Sequence, residues 1–218
     1  MTMSTSQQRP AADEMPALVL ARRRLGALQP REVAHRAGTF YQDTGVPEGQ
    51  GVFHVPLLGQ TLGVAYPSGM VSAFDGGAPP RQAMALLALH YLIHADGHPM
   101  ADRWAAFREL PDGLVYDSAL RGRVEPSLVA TFGHAPESLE RAAPPLGGVP
   151  IAVGDVAYAF DVLPRLRLAV AIYLGDDELP PAVRLLYDAS AGHYLPTEDL
   201  AIVGGMLVGR LIAGARAR

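Results

Sequence analysis

Short apolar stretches in two groups along the chain have the length and composition of β-strands. Glycine-containing turns separate the members of the first group, and similar short breaks separate those of the second. Strands joined this closely pair antiparallel, so each group predicts a three-stranded meander. The pattern leaves open whether the two groups form one continuous sheet. The stretches are 52–57, 61–66 and 70–74 in the first group, and 156–162, 166–174 and 183–187 in the second.

Two strongly apolar segments predict the helices that cover these strands. Residues 80–95 are apolar on nearly every face, which is typical of a central helix, so we expect both Leu87 and Leu89 to be buried. A last helix should begin at Thr197 as its N-cap and extend to residue 213. Three glycines on that helix predict close backbone packing. They are Gly204, Gly205 and Gly209.

Weaker signals predict the remaining elements. Helix-end residues and periodicity predict helices at 11–28 and 29–38, a strand at 103–110, and short helices that start near 117, 126 and 136. Together, the predicted strands and helices indicate an α+β fold in which antiparallel β-sheet packs against a central apolar helix and a C-terminal helix.

The chain ends and overall length predict a single domain in the cytoplasm. We expect residues 1–10 to be disordered and residues 11–218 to form one α+β domain. The start of the chain lacks the basic residues and apolar core of a signal peptide. The longest apolar run, 200–213, is shorter than the ~20 residues of a membrane-spanning helix and contains Arg210. We therefore expect no membrane association.

Residue usage narrows the possible chemistry. The chain has no cysteine, which excludes thiolate nucleophiles, disulfides and cysteine-ligated iron–sulfur clusters. All 18 basic residues are arginine, which excludes Schiff-base and P-loop lysines. The net charge of −4 gives no attraction to phosphate backbones, so nucleic acid is not an expected partner. Any metal must use histidine, aspartate or glutamate.

The best metal-ligand spacing lies at the end of the central helix. His90 and His94 are four residues apart and share a helix face, and Asp96 and His98 follow at once. The spacing fits a divalent metal or a metallocofactor, although the glutamate of zinc proteases is absent. The alternative is that His90 is a hydrogen-bonded core residue and that the helix dipole favours the cation of His94.

The loop before the last helix is the second candidate site. Asp188, Ser190, His193 and Tyr194 precede a helix N-terminus, whose unpaired N–H groups can bind a ligand, so we expect this loop to form a wall of the main pocket. A Ser/His/Asp hydrolase lacks the Gly-x-Ser-x-Gly elbow here. The alternative is a purely structural loop in which Thr197 caps the helix and Asp188 stabilises the turn.

One further pair of residues could contribute to ligand binding. Arg103 and Trp104 could hold a carboxylate or phosphate against an aromatic face. The alternative is an ordinary strand with its aromatic side chains inward and its arginines outward.

Several motifs in a fixed order resemble a known family. They are ADGHP at 95–99, RWAAFRELP at 103–111, DAS at 188–190 and YLPTED at 194–199. They resemble a family of bacterial and archaeal proteins designated as a domain of unknown function, DUF3786, over about residues 29–212. Members of the family often occur in anaerobes and some carry an iron–sulfur module. The resemblance implies work near metallocofactor or corrinoid metabolism, and it supplies no catalytic residues.

Three classes of function remain open from the sequence. The first is an accessory protein that binds a small molecule or metallocofactor, and whether it catalyses any reaction is left undecided. The second is a metal-dependent hydrolase that uses His90 and His94 with a carboxylate. The third is a protein-interaction module. A bound chromophore would favour the first, and stoichiometric zinc or manganese the second.

Overall fold

Antiparallel strands form two sheets in the part of the chain that the computed structural model describes, residues 15–45 and 49–217. The strands are β1 (Phe40–Asp43), β2 (Gly51–Leu57), β3 (Gln60–Tyr66), β4 (Val71–Ala73), β5 (Trp104–Ala106), β6 (Val149–Pro150), β7 (Val156–Leu163), β8 (Leu166–Tyr173) and β9 (Ala182–Asp188). The first sheet has the order β1-β2-β3-β4, and the second has the order β5-β9-β8-β7-β6. The two groups of strands therefore belong to separate sheets. The expected disorder of residues 1–10 lies outside the described residues.

Six α-helices in the described residues complete the α+β fold that the sequence predicts. They are α1 (Pro16–Gly26), α2 (Pro30–Ala37), α3 (Gln82–His94), α4 (Gly113–Leu128), α5 (Pro136–Ala142) and α6 (Thr197–Arg216). Helices α1 and α2 pack against α3, and α4 and α5 pack against α6. Buried residues from both sheets and from these helices belong to one hydrophobic cluster. No helix in the described part of the chain has the length and apolarity needed to cross a membrane.

The first sheet confirms the predicted meander and adds an edge strand. Side chains of β2 alternate between buried and more exposed positions, as expected for a sheet with one face on the core. The turn at Leu58 and Gly59 has positive φ at both residues, 51° and 77°. The backbone N–H of Leu58 donates to the carbonyl of Val162 in β7 at 2.9 Å, so this turn joins the two sheets.

Helix α3 is central, as its apolar circumference predicts. Leu87 and Leu89 are both buried, at 1% and 0% exposure. The hydroxyl of Tyr91 donates to the carbonyl of Ala37 at 2.6 Å and accepts the backbone N–H of Arg165 at 3.0 Å. The side chain of Tyr91 thus connects α3 to the end of α2 and to the turn between β7 and β8.

Helix α6 packs on β9 through one of the three glycines that predict close packing. A Cβ at Gly204 would clash with the hydroxyl of Tyr187, whereas a Cβ at Gly205 or Gly209 would meet open space. The prediction of close packing is therefore right for Gly204 and wrong for the other two. The sequence cannot distinguish them, because it does not say which glycine faces the sheet.

Two elements that follow α3 in the chain differ from their predictions. The expected short helices near 117 and 126 form the single helix α4, with Pro126 inside it. A proline removes one helical hydrogen bond, and burial of Leu120, Val124 and Leu128 along one face offsets that loss. The expected strand 103–110 ends at Ala106 and continues as a 3-10 turn, in which Glu109 accepts the N–H of Ala106 at 2.6 Å.

Candidate functional site

The structure brings the two candidate clusters of the sequence to one end of the molecule. The segment after α3 packs against the loop between β9 and α6. His193 in that loop binds Asp96, and Asp199 at the start of α6 binds His90. The residues form two pairs of a histidine and a carboxylate. The pair of His193 and Asp96 joins the loop to the segment after α3, and the pair of His90 and Asp199 joins α3 to α6.

The first group consists of Asp96, His98 and His193 and lies at the surface. Asp96 Oδ2 is 2.7 Å from His193 Nδ1, and its Oδ1 accepts the N–H of His98 at 2.8 Å. The rings of His98 and His193 stack with centroids 3.9 Å apart and planes 6° from parallel. Burial opposes ionisation of Asp96, but these hydrogen bonds outweigh it and lower its pKa.

An ionised Asp96 determines the tautomer of its partner. Because the carboxylate accepts at His193 Nδ1, that nitrogen carries the proton of the neutral ring, and Nε2 keeps its lone pair. The side chain of His193 is 42% exposed. An oriented imidazole nitrogen that solvent can reach is suited to bind a metal or to accept a proton.

The second group consists of His90, His94 and Asp199 and lies between α3 and α6. His90 Nδ1 is 2.5 Å from Asp199 Oδ2, and Asp199 is only 5% exposed. The rings of His90 and His94 are 5.8 Å apart at 82°. Burial, followed by the charge of Arg24, lowers the pKa of His94. This lowered pKa runs against the expectation that the helix dipole favours the cation of His94, although the residue as a whole is exposed.

The loop from Asp188 to Pro196 is mainly structural. Asp188 Oδ1 accepts the N–H of Ala101 at 2.9 Å, and the N–H and hydroxyl of Ser190 at 2.9 and 2.6 Å. Burial would raise the pKa of Asp188, but hydrogen bonds from Ser190 and the backbone of Ala101 and Asp102 outweigh it and lower the pKa. Asp188 and Ser190 are buried, so Asp188 stabilises the turn.

Tyr194 and Ser190 also have structural environments. Tyr194 is fully buried, stacks on Tyr91 and donates its hydroxyl to the carbonyl of His98. The hydroxyl of Ser190 binds Asp188, whereas the Nδ1 of His193 binds Asp96. These contacts leave His193 as the residue of the loop that presents a reactive group to solvent.

The cap of α6 differs from its prediction. The N-cap position is Pro196, and Thr197 is the first helical residue. The hydroxyl of Thr197 donates instead to the carbonyl of Pro111 at 2.6 Å. This bond connects the start of α6 to the segment just before α4. The proline at the N-cap has no side-chain acceptor, so no side chain caps the helix at that position.

Arg103 and Trp104 lie beside the loop, and their role in ligand binding stays a prediction. Arg103 is exposed, and its carbonyl accepts the N–H of Ala189 at 2.9 Å. Trp104 is half-buried and is the partner of Asp188 in the pairing of β5 with β9. Cavities of about 130, 660 and 600 Å³ lie along α4 and beside residues 174–181, away from the loop that we expected to line the main pocket.

The four residues of the predicted metal site divide between the two groups. His90 and His94 belong to the group with Asp199, while Asp96 and His98 belong to the group with His193. In the described part of the chain, no cluster of three or more His, Asp or Glu side chains is arranged to hold a metal ion. Metal binding by these residues stays a prediction.

Asp199 is the site residue that the sequence analysis did not identify. It lies in the first turn of α6, where an acid complements the helix dipole, and it is buried against His90. The available signal was its spacing. Asp199 is four residues before Val203 and eight before Leu207, and both of these are buried, so all three lie on the inward face of α6.

Comparison with protein families identifies the chain's relatives. A family model described as a domain of unknown function, DUF3786, matches residues 29–210. The chain belongs to the DUF3786 family. No curated protein and no solved structure matches it. The matched region of this DUF3786 protein contains every residue of both histidine–carboxylate groups.

Proposed function

We propose that this DUF3786 protein is an accessory protein that binds a metallocofactor, with the Nε2 of His193 as a ligand to the metal. The observation that carries the proposal is the 2.7 Å contact between Asp96 Oδ2 and His193 Nδ1. Histidines that bind metals commonly donate their other ring N–H to a carboxylate, which orients the ring and raises its basicity. The 42% exposure of the His193 side chain leaves room for a ligand.

The arrangement suits a metal that already has its own ring of ligands. A corrinoid or porphyrin would bring most of its metal's ligands with it, so the protein would need to supply only one further ligand. His193 could supply that ligand and tune the metal, with Asp96 holding the imidazole and His98 stacked on its face. The family resemblance, which implies work near metallocofactor or corrinoid metabolism, points in the same direction.

Exposed apolar side chains follow the segment that contacts the loop, and they suit a flat and partly apolar ligand. Leu114 and Val115, at the start of α4, are 76% and 75% exposed. Pro111, just before that helix, touches the loop, because its carbonyl accepts from Thr197 and a Cβ at Gly192 would lie 3.1 Å from its ring. Leu114 and Val115 follow this contact by three and four residues in the chain.

A titration with cobinamide, a corrinoid without its own lower nitrogen ligand, tests the proposal. We expect the wild-type protein to shift the visible spectrum of cobinamide as an imidazole binds cobalt. His193→Ala should abolish the shift, and Asp96→Asn should weaken binding by roughly 10- to 100-fold because the ring loses its orienting carboxylate. His134→Ala removes an exposed histidine that belongs to neither histidine–carboxylate group, and it should leave the spectral shift unchanged. A shift that survives His193→Ala would refute the proposal.

The second candidate is a metal-dependent hydrolase. The observation that favours it is the proximity of His90 and His94, whose ring centroids are 5.8 Å apart, together with the buried Asp199 bound to His90. Stoichiometric zinc or manganese in the purified protein, lost in His94→Ala and retained in His193→Ala, would favour this function over the first.

A further inference from the structure

A cavity of about 130 Å³ lies between α4, the 3-10 turn at Phe107–Glu109 and strand β9. Its apolar lining includes Phe107, Leu120, Val124 and Leu185, all of which are buried. An apolar cavity of about 150 Å³ in a protein core is large enough to hold benzene. The space therefore fits one six-membered ring or a short alkyl chain.

Charged side chains form one side of this cavity. Arg121 lies between two acids of its own helix, at 3.0 Å from Glu125 and 3.7 Å from Asp117. Arg184 of β9 also pairs with Glu125, at 2.8 Å. The carboxylates are the more enclosed partners, with side-chain exposures of 18% for Glu125 and 13% for Asp117, against 44% for Arg121 and 41% for Arg184.

Positive charge exceeds negative charge among the lining residues. Arg108 also lines the cavity, and within the described residues no hydrogen bond or ion pair engages its guanidinium. Arg108, Arg121 and Arg184 thus face Asp117 and Glu125, which leaves one guanidinium without a counter-charge. Guanidinium groups bind carboxylates with directional, charge-assisted hydrogen bonds.

A wider groove adjoins the cavity. Asp117, Arg121 and Glu125 also line a wider groove of about 660 Å³ on the outer face of α4. These three side chains therefore stand between the groove and the enclosed apolar space. A ligand could place its apolar part inside while its polar end remains beside the arginines.

We propose that this cavity binds a small carboxylate with an apolar ring or short chain. The ring would contact Phe107, Leu120 and Leu185, and the carboxylate would pair with Arg108 at the rim. An amine of the same shape would be repelled by the excess positive charge, and a neutral amide would lose the charge-assisted contact. This site is independent of the histidine groups and of the cofactor proposed for them.

Benzoate, benzamide and benzylamine are matched probes for the proposal. Titrations followed by two-dimensional ¹⁵N–¹H NMR should show shifts at Phe107, Leu120 and Leu185 with benzoate. Benzamide should bind roughly tenfold more weakly, because it lacks the charge that strengthens the hydrogen bond to Arg108. Benzylamine should not bind at this position.

Variants of exposed arginines separate the site from general charge effects. Arg108→Gln should weaken benzoate binding by roughly tenfold and leave benzamide binding unchanged. Arg123→Gln removes the same charge from an exposed position of α4 that does not line the cavity, and it should leave both affinities unchanged. Leu120→Phe should block both probes by filling the space.

Three results would overturn the proposal, and none depends on Leu120→Phe folding. The first is equal affinity of the wild-type protein for benzoate and benzamide. The second is unchanged benzoate affinity in Arg108→Gln. The third is the absence of shifts at the residues lining the cavity with any probe. The cobinamide titration is unaffected by each of these results, so failure here leaves the proposed function standing.

Discussion

At the scale of single residues, one buried carboxylate organises the loop beside the candidate site. Asp188 is 1% exposed and accepts hydrogen bonds from Ala101 and from the N–H and hydroxyl of Ser190. Asp188→Ala should lower the free energy of unfolding by about 2 to 4 kcal/mol, because three donors lose their acceptor. Asp188→Asn keeps one acceptor oxygen and should cost less. Chemical denaturation of both variants measures the difference.

The pH dependence of this effect has a defined sign. The pKa of Asp188 is lowered from 3.8 in the folded protein, so the unfolded chain takes up the proton first as the pH falls. The ionised Asp188 side chain contributes its full stabilisation well above pH 3.8, and this stabilisation is lost as the pH falls through the pKa of the folded state. The stability difference between the wild type and Asp188→Asn should therefore be constant near neutral pH and shrink in acid. A difference that grows in acid would contradict this account.

At the scale of elements, neighbouring glycines of α6 should respond oppositely to the same substitution. Gly204→Ala places a Cβ against Tyr187 and should destabilise the protein by about 1 to 3 kcal/mol. Gly205→Ala places its Cβ in open space and should stabilise the protein by about 0.5 to 1 kcal/mol, because alanine favours the helix. Thermal unfolding of the two variants provides the test, and each serves as the control for the other.

Elements with strong periodicity were predictable, and those fixed by tertiary contacts were not. The apolar circumference of α3 identifies this helix from the sequence alone, and the short apolar runs separated by glycine turns identify β2 and β3. Strand β1 escaped prediction because it is an edge strand with mostly exposed side chains and therefore lacks an apolar pattern. Helix α4 was divided at Pro126 because local propensity does not include the burial of Leu120, Val124 and Leu128.

The candidate site shows the same division. The spacing of His90 and His94 predicts that both residues lie on one helix face, and their rings are neighbours in the structure. The pairing of His193 with Asp96 joins residues 97 positions apart, and that of His90 with Asp199 joins residues 109 positions apart. Contacts at such separations depend on how α3, β9 and α6 pack, which no local pattern encodes.

At the scale of the whole molecule, a few polar contacts join elements that are distant in sequence. Tyr91 connects α3 to Ala37 and Arg165, and Arg210 of α6 donates to the carbonyl of Leu58 in the first sheet. Tyr91 is fully buried, and burial raises the pKa of its hydroxyl well above the ordinary value, so it remains protonated and can donate.

Removal of the Tyr91 hydroxyl tests how much this junction contributes. Tyr91→Phe leaves the carbonyl of Ala37 and the N–H of Arg165 without their partner, and should lower the free energy of unfolding by about 1 to 3 kcal/mol. Amide hydrogen exchange should increase at Arg165 and around Ala37. Tyr173→Phe, at an exposed tyrosine on β8, is the matched control and should change neither quantity. Equal stability of the two variants would show that the junction is energetically unimportant.

Trp104 gives the molecule a built-in optical reporter. It is the single tryptophan of the chain, it is half-buried, and it pairs with Asp188 at the base of the loop that carries His193. Its fluorescence emission therefore originates beside the candidate cofactor site and within the second sheet. A coloured cofactor bound there would quench this emission by energy transfer, whereas unfolding would shift it toward the red as water reaches the indole. Binding and unfolding can thus be followed separately in unlabelled protein.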